Sequence, residues 1–151
     1  MSNSYTDTIC RLKLIKMERN LLRTDKQKSF AFLRSNEDGI PNQKGVFYIL
    51  DSTGRPIYVG RTGDIKKSIR QIIQHTDHHF RQFVAKFYLY KNPNFKYNEL
   101  NHPMQKTINS YTANFKLSYL VTDSERSQIA KHMIKKCNPL YNLKMNKTVT
   151  F

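Results

Sequence analysis

The stretch GVFYIL-DSTGR-PIYVG, residues 45–60, constrains this chain more than any other. Two short runs rich in β-branched and aromatic residues are split by Asp51, Ser52, Thr53 and Gly54. Runs of this kind around such a turn predict an antiparallel hairpin. Strand side chains alternate between faces, so Phe47 and Tyr48 are expected on opposite sides. A chain of 151 residues has room for one domain and one ordinary core, and the hairpin is its natural centre.

Helical periodicity accounts for much of the rest. Cys10, Leu14, Met17 and Leu21 share a stripe and predict a helix over 7–23, with Lys16, Arg19 and Arg23 gathered on another face. A short helix is expected over 26–33, followed by the polar loop SNEDGIPNQK. Asp64 can N-cap a helix that turns Ile65, Ile69, Ile72 and Ile73 inward. Phe80, Phe83, Val84 and Phe87 predict another over 77–90, and 104–112 is weakly helical. FKLSYLV alternates as a strand, with Phe115, Leu117, Tyr119 and Val121 on one side. Thr122 to Glu125 reads as a capping box for a last helix to Cys137, which Pro139 stops. This order predicts class α+β: a small antiparallel-type sheet of three strands flanked by helices. The polar loop is the expected boundary between a basic helical extension, 1–40, and the main domain, 41–151.

Charge narrows the partners. Lys and Arg number 26 against 11 Asp and Glu, a formal net charge of +15. Self-repulsion on this scale is relieved by a polyanion, nucleic acid first and an anionic membrane surface second. No apolar run approaches the roughly twenty residues of a bilayer-spanning helix. The N-terminus is too broken by charge for a secretory leader. Cys10 and Cys137 form no disulfide framework or CxxC site, so a reducing, cytoplasmic setting is expected. Delivery as a toxin by a dedicated secretion system stays open. The candidate phosphate contacts are Lys16, Arg19, Arg23, Lys66, Lys67, His78, His79 and Arg81. For the three on the first helix a solvated face is an equal account. Adjacent helical histidines diverge by about 100°, so His78 and His79 do not chelate one ion together. Tyr88, Tyr90, Phe95 and Tyr97, interleaved with Lys91 and Lys96, suit either half-buried packing or stacking on unpaired bases.

Three stretches together carry a resemblance. Gly45-Val46-Phe47 is followed after ten residues by Tyr58-Val59-Gly60, then Arg61 and a basic helix. At the far end, Met133-Ile134-Lys135-Lys136 leads into Pro139-Leu140-Tyr141-Asn142. Over residues 44–143 this resembles the GIY-YIG nucleases, which include an excision-repair subunit, homing endonucleases and restriction enzymes. The resemblance implies metal-dependent hydrolysis of a phosphodiester, with Mg2+ or another divalent ion as cofactor. It implies DNA as partner, with RNA left open, and a monomer or homodimer. It assigns water activation to Tyr58 and phosphate contact to Arg61, with Gly45, Gly60 and Asn142 as structural positions. It also points to His75, since the family often has a histidine late in this helix. A phenol ordinarily titrates near 10. The cations Arg61, Lys66, Lys67 and Arg70 are expected to lower that value at Tyr58.

Three positions depart from the family pattern. Phe47 stands where the first motif usually ends in tyrosine, so it can shape the site without bonding in it. Ser68, ten residues past Tyr58, stands where an arginine is usual. Arg70 can substitute as phosphate clamp only if the loop before the helix is longer. Ala130 stands at the metal-binding glutamate. The glutamate has been replaced by design, or lost naturally, or its acid lies elsewhere. Glu125 is five residues away, about 140° round the helix. Ala130 also completes an apolar stripe with Ile134 and Cys137. The expectation is a DNA endonuclease in an inactivated form. The alternative is an inert nucleic-acid-binding module of the same fold.

Overall fold

The hairpin is the middle of the structure, a computed structural model that describes residues 4–74, 77–96 and 101–143. His75 and Tyr97 lie outside the described residues. Along the chain run α1 (Ser4–Leu22), β1 (Lys28–Ser29), α2 (Phe30–Ser35), β2 (Gly45–Leu50) and β3 (Pro56–Thr62). Then come α3 (Ile65–Ile73), α4 (His79–Val84), α5 (His102–Thr112), β4 (Lys116–Val121) and α6 (Arg126–Cys137). The helix expected over 77–90 instead starts at His79, and its last turn, Ala85–Leu89, is π-helical.

Strands β2 and β3 pair antiparallel, with Phe47 opposite Gly60, Tyr48 opposite Val59 and Ile49 opposite Tyr58. Asp51 builds the turn between them. One of its oxygens accepts from the Thr53 amide at 2.9 Å, the Thr53 hydroxyl at 2.6 Å and the Arg55 amide at 2.9 Å. Gly54 follows at φ +85°, where a side chain would be strained.

The sheet has four strands, not three, in the order β1-β4-β2-β3, each pair antiparallel. The extra strand lies where a helix over 26–33 was expected. Ser29 accepts from the Phe32 amide and so caps a helix that begins only at Phe30. The residues before it pair with β4, Lys28 facing Leu117 and Ser29 facing Lys116.

Alternation along the strands sorts the core into two layers. Phe47, Ile49 and Leu117 pack with Phe30 and Leu33 of α2, the α3 isoleucines, and Phe80, Phe83 and Val84 of α4. Val46, Tyr48, Leu50 and Val59 face the other way, onto Leu21 of α1 and Ile129, Ala130 and Met133 of α6. Each fully buried side chain of this size contributes about 1.5–3 kcal/mol.

The first forty residues, expected as an extension, supply β1 and, through α1, share with α6 the cover of one sheet face. The Ser118 hydroxyl of β4 donates to the Leu21 carbonyl at 2.6 Å. Leu14, Met17 and Leu21 pack as their spacing predicts, whereas Cys10 is exposed. Periodicity gave no hint of Glu18, only 5 % exposed, which takes Lys136 at 2.7 Å and His132 at 3.2 Å from α6. Burial alone would raise the Glu18 carboxyl, but the bonds from Lys136 and His132 outweigh it and hold the value low. A lowered folded value stabilises above the ordinary carboxyl range and is lost as pH falls through it. Urea midpoints of wild type and Glu18→Gln should therefore differ most near neutral pH and converge below about pH 4.3.

Gly60 is demanded by its neighbour. A Cβ there would lie 2.2 Å from the Phe47 ring, at the atom farthest from the backbone. Gly60→Ala should cost about 1–3 kcal/mol of urea stability, and Phe47→Leu in the same chain should recover part of it.

Candidate functional site

Strand β3 is an edge of the sheet, and the end of the chain closes it. Asn138 caps α6 in the left-handed conformation, φ +48°, and turns the backbone toward β3. Asn142 then meets Val59 twice. Its Oδ1 accepts from the Val59 amide at 2.8 Å, and its Nδ2 donates to the Val59 carbonyl at 2.9 Å. An open edge exposes such groups to foreign strands, and here one side chain satisfies both. The same bonds seat Tyr141, 8 % exposed, with its ring centre 4.4 Å from that of Tyr58.

Tyr58 is held on all sides by rings. It stacks on Phe80 at 5.4 Å and 12°, and Phe47 meets it edge-on at 5.2 Å. With Arg61, Ala130, Lys131 and Tyr141 it lines a cavity of about 360 Å3. Arg61 lies on the opposite face of β3, opposite Val46, where its guanidinium donates to the Ser127 hydroxyl of α6. A second cavity of about 380 Å3 adjoins the first, sharing Arg61 and Ser127 and adding Asp123 and Arg126.

No family model matches the chain. It is similar to UvrABC system protein C of Caldanaerobacter subterraneus subsp. tengcongensis, 29 % identical over 106 residues. That match covers 69 % of this chain and 13 % of that protein. The protein of the same name from Clostridium beijerinckii is 30 % identical over 108 residues, 70 % of this chain and 14 % of its own length. The chain therefore spans only about a seventh of the relatives it matches. Among solved structures it resembles the GIY-YIG N-terminal endonuclease domain of UvrC from Thermotoga maritima with magnesium bound. There the TM-score is 0.40 at 18 % identity, covering 73 % of this chain and 94 % of that one. A point mutant of that domain gives a TM-score of 0.41 at 19 % identity, covering 73 % and 93 %. The two tripeptides sit on paired strands, and the Asn142 clamp joins them to α6. The chain resembles the GIY-YIG nucleases in its motifs and in the strands that carry them.

Several expected site residues are placed differently in the structure. The Tyr58 phenol is not lowered as the neighbouring cations led one to expect. Burial, and then the Tyr141 phenol, push its hydroxyl above the ordinary phenol value. The charges expected to lower it are engaged or turned elsewhere. Arg61 is on Ser127, and Arg70 pairs with Glu37 at 3.7 Å and lines neither cavity. Lys66 and Lys67 ride on α3 and also line neither. Ser68, at the family's arginine position, lies 2.5 Å from the Thr62 hydroxyl.

Arg81 is buried at 1 % exposure and is no nucleic-acid contact. It donates to the Ile72 carbonyl at 3.1 Å and to Gln105 at 2.6 Å, tying α3, α4 and α5 together. His78 caps α4, accepting from the Phe80 amide at 3.1 Å. Burial, then the charges of His79 and Arg81, lower it to about 4, so it is neutral and no cationic phosphate ligand. His79 is exposed. Lys16 and Arg19 are exposed on α1, and Arg23, just past its end, grips Asp25 with two bonds of 3.0 and 2.7 Å. Glu125 forms no backbone cap of α6. Lys13, Ser124 and Thr122 bond its carboxylate and hold it at about 2.

The donor set does not fit a divalent ion. Ala130, 6 % exposed, presents only a methyl to the cavity beside Tyr58, and no carboxylate lines that cavity. Hard cations want charged oxygen ligands. Among the described residues no three His, Cys, Asp or Glu side chains are grouped to hold a metal. Sequence reasoning missed Tyr141, Ser127, Lys131 and Arg126 as lining residues. Tyr141 lay inside the quoted ending, and Ser127, Ala130 and Lys131 share one helix face at i, i+3, i+4. Alkaline absorbance titrations of wild type and Tyr58→Phe should differ only above pH 10. A Tyr58 phenolate signal below about pH 9 would contradict the buried, neutral phenol.

Proposed function

We propose that this chain is a DNA-directed endonuclease domain of GIY-YIG type, held in an inactivated form by the alanine at 130. The observation that carries this reading is the cavity where Tyr58, Arg61 and Ala130 meet between β3 and α6. It joins two positions that this chain keeps, Tyr58 and Arg61, to one of the three at which it departs, Ala130. The formal charge of +15 supports nucleic acid as the partner.

The chain's own residues divide the work as follows. The Arg61 guanidinium offers several donors to a phosphate oxygen, and its present partner is a neutral hydroxyl that a charged ligand outcompetes. Lys131 adds a second cation at the cavity wall. The neutral Tyr58 hydroxyl can hold a water or donate to a phosphate oxygen, while Phe47 and Phe80 fix the plane of its ring. As a base it needs its proton affinity lowered by charge that arrives with substrate. A divalent ion would supply Lewis acidity at the phosphate. With a methyl at 130 this chain has no carboxylate to seat one there, and so it binds more readily than it cuts.

Restoring that carboxylate is the test. Ala130→Glu should nick supercoiled plasmid in the presence of magnesium, while wild type and Ala130→Gln should not. If Ala130→Glu binds DNA and still leaves it intact, the inert binding module is the correct reading. DNA affinity of the wild type should fall log-linearly with salt, and indifference to salt would remove both nucleic-acid readings.

A further inference from the structure

The second cavity does not contain Tyr58 and has no role in the chemistry above. Its walls are polar: Arg61, Thr62, Asp123, Ser124, Arg126 and Ser127. Arg126 is aimed by the backbone, donating through Nη1 to the Thr62 carbonyl at 2.8 Å and through Nε to the Asp123 carbonyl at 3.3 Å. Its remaining Nη2 faces the Asp123 carboxylate at 3.8 Å, and Lys44 approaches the same carboxylate at 3.7 Å. Both separations exceed a hydrogen bond, and the Asp123 side chain is 69 % exposed. One loosely held carboxylate therefore sits amid Arg126, Lys44 and the nearby Arg61. A phosphodiester carries the same charge and more acceptor oxygens, and it suits guanidinium forks better.

We propose that this cavity is a phosphate subsite for the nucleotide next to the one facing Tyr58, and that Asp123 occupies it until a strand displaces it. The subsite rests on the nucleic-acid reading above and adds its position, its residues and a built-in competitor. Because the two cavities share Arg61 and Ser127, one strand can run through both without a break. Arg61 then lies between consecutive phosphates, and Arg126 and Lys44 hold the outer one. Displacing Asp123 into water is cheap, since it is already mostly exposed. Its charge nevertheless opposes every phosphate that enters.

Fluorescence anisotropy of a short labelled DNA duplex, titrated at several salt concentrations, tests this. Asp123→Asn should bind roughly two- to fivefold tighter than wild type, the size of an exposed charge pair. Arg126→Gln should bind more weakly, with a slope of log affinity against log salt shallower by about one. The glutamine amide nitrogen stands where Arg126 Nε does and can keep the bond to the Asp123 carbonyl, though not the one to Thr62, and thermal melts of each variant check that the fold is kept. Should Arg126→Gln melt early, Asp123→Asn decides alone. If Asp123→Asn binds no tighter, or a well-folded Arg126→Gln keeps the wild-type slope, the subsite is wrong and the nucleic-acid reading stands. A wild type that fails to bind DNA removes both.

Discussion

The amide of Asn142 bonds both backbone groups of Val59, and the site depends on that single side chain. It finishes the edge of the sheet, anchors the chain after α6 and sets Tyr141 against Tyr58. A side-chain amide matches a backbone peptide, one donor beside one acceptor, so it can stand in for a missing strand. Pro139 and the left-handed Asn138 serve the same end, because they stop α6 and send Asn142 back toward β3. Phe47 over Gly60 completes the arrangement on the same face as Tyr58, where no residue larger than glycine fits at 60.

Excess positive charge is not spent evenly. Arg81 is sunk into the fold as a cross-tie among three helices, where charge-assisted bonds offset its burial. Arg23, Arg70 and Lys136 pair with local carboxylates. Arg61, Arg126 and Lys131, by contrast, gather along the seam between β3 and α6, beside the neutral ring of Tyr58. The seam is cationic and aromatic, with Asp123 as the one carboxylate among the residues lining its two cavities. That composition favours a polyanion over a metal ion in the free protein.

Period-two and helical patterns made the hairpin, α1, α3, β4 and α6 legible, since burial on one face leaves a direct imprint on residue type. β1 was not legible, because a strand of two residues has no period and its pairing partner lies far along the chain. Arg81 was misread, and Glu18 went unnoticed, for a related reason. A charge on a helix looks solvated until the element that covers it is known. Tyr58 shows the converse error. Neighbours in sequence suggested a field of cations, but a strand and a helix send their side chains in different directions, and rings surround the phenol instead.

By itself the sequence determined the hairpin and its two tripeptides, the excess of positive charge, and the absence of a carboxylate at 130. These are matters of composition, local period and residue identity. Only the tertiary structure decided which cations line the two cavities, that rings rather than cations pack against Tyr58, and that β1 joins the sheet. Each of those depends on burial and on contacts between residues far apart in the chain, and no local pattern encodes them.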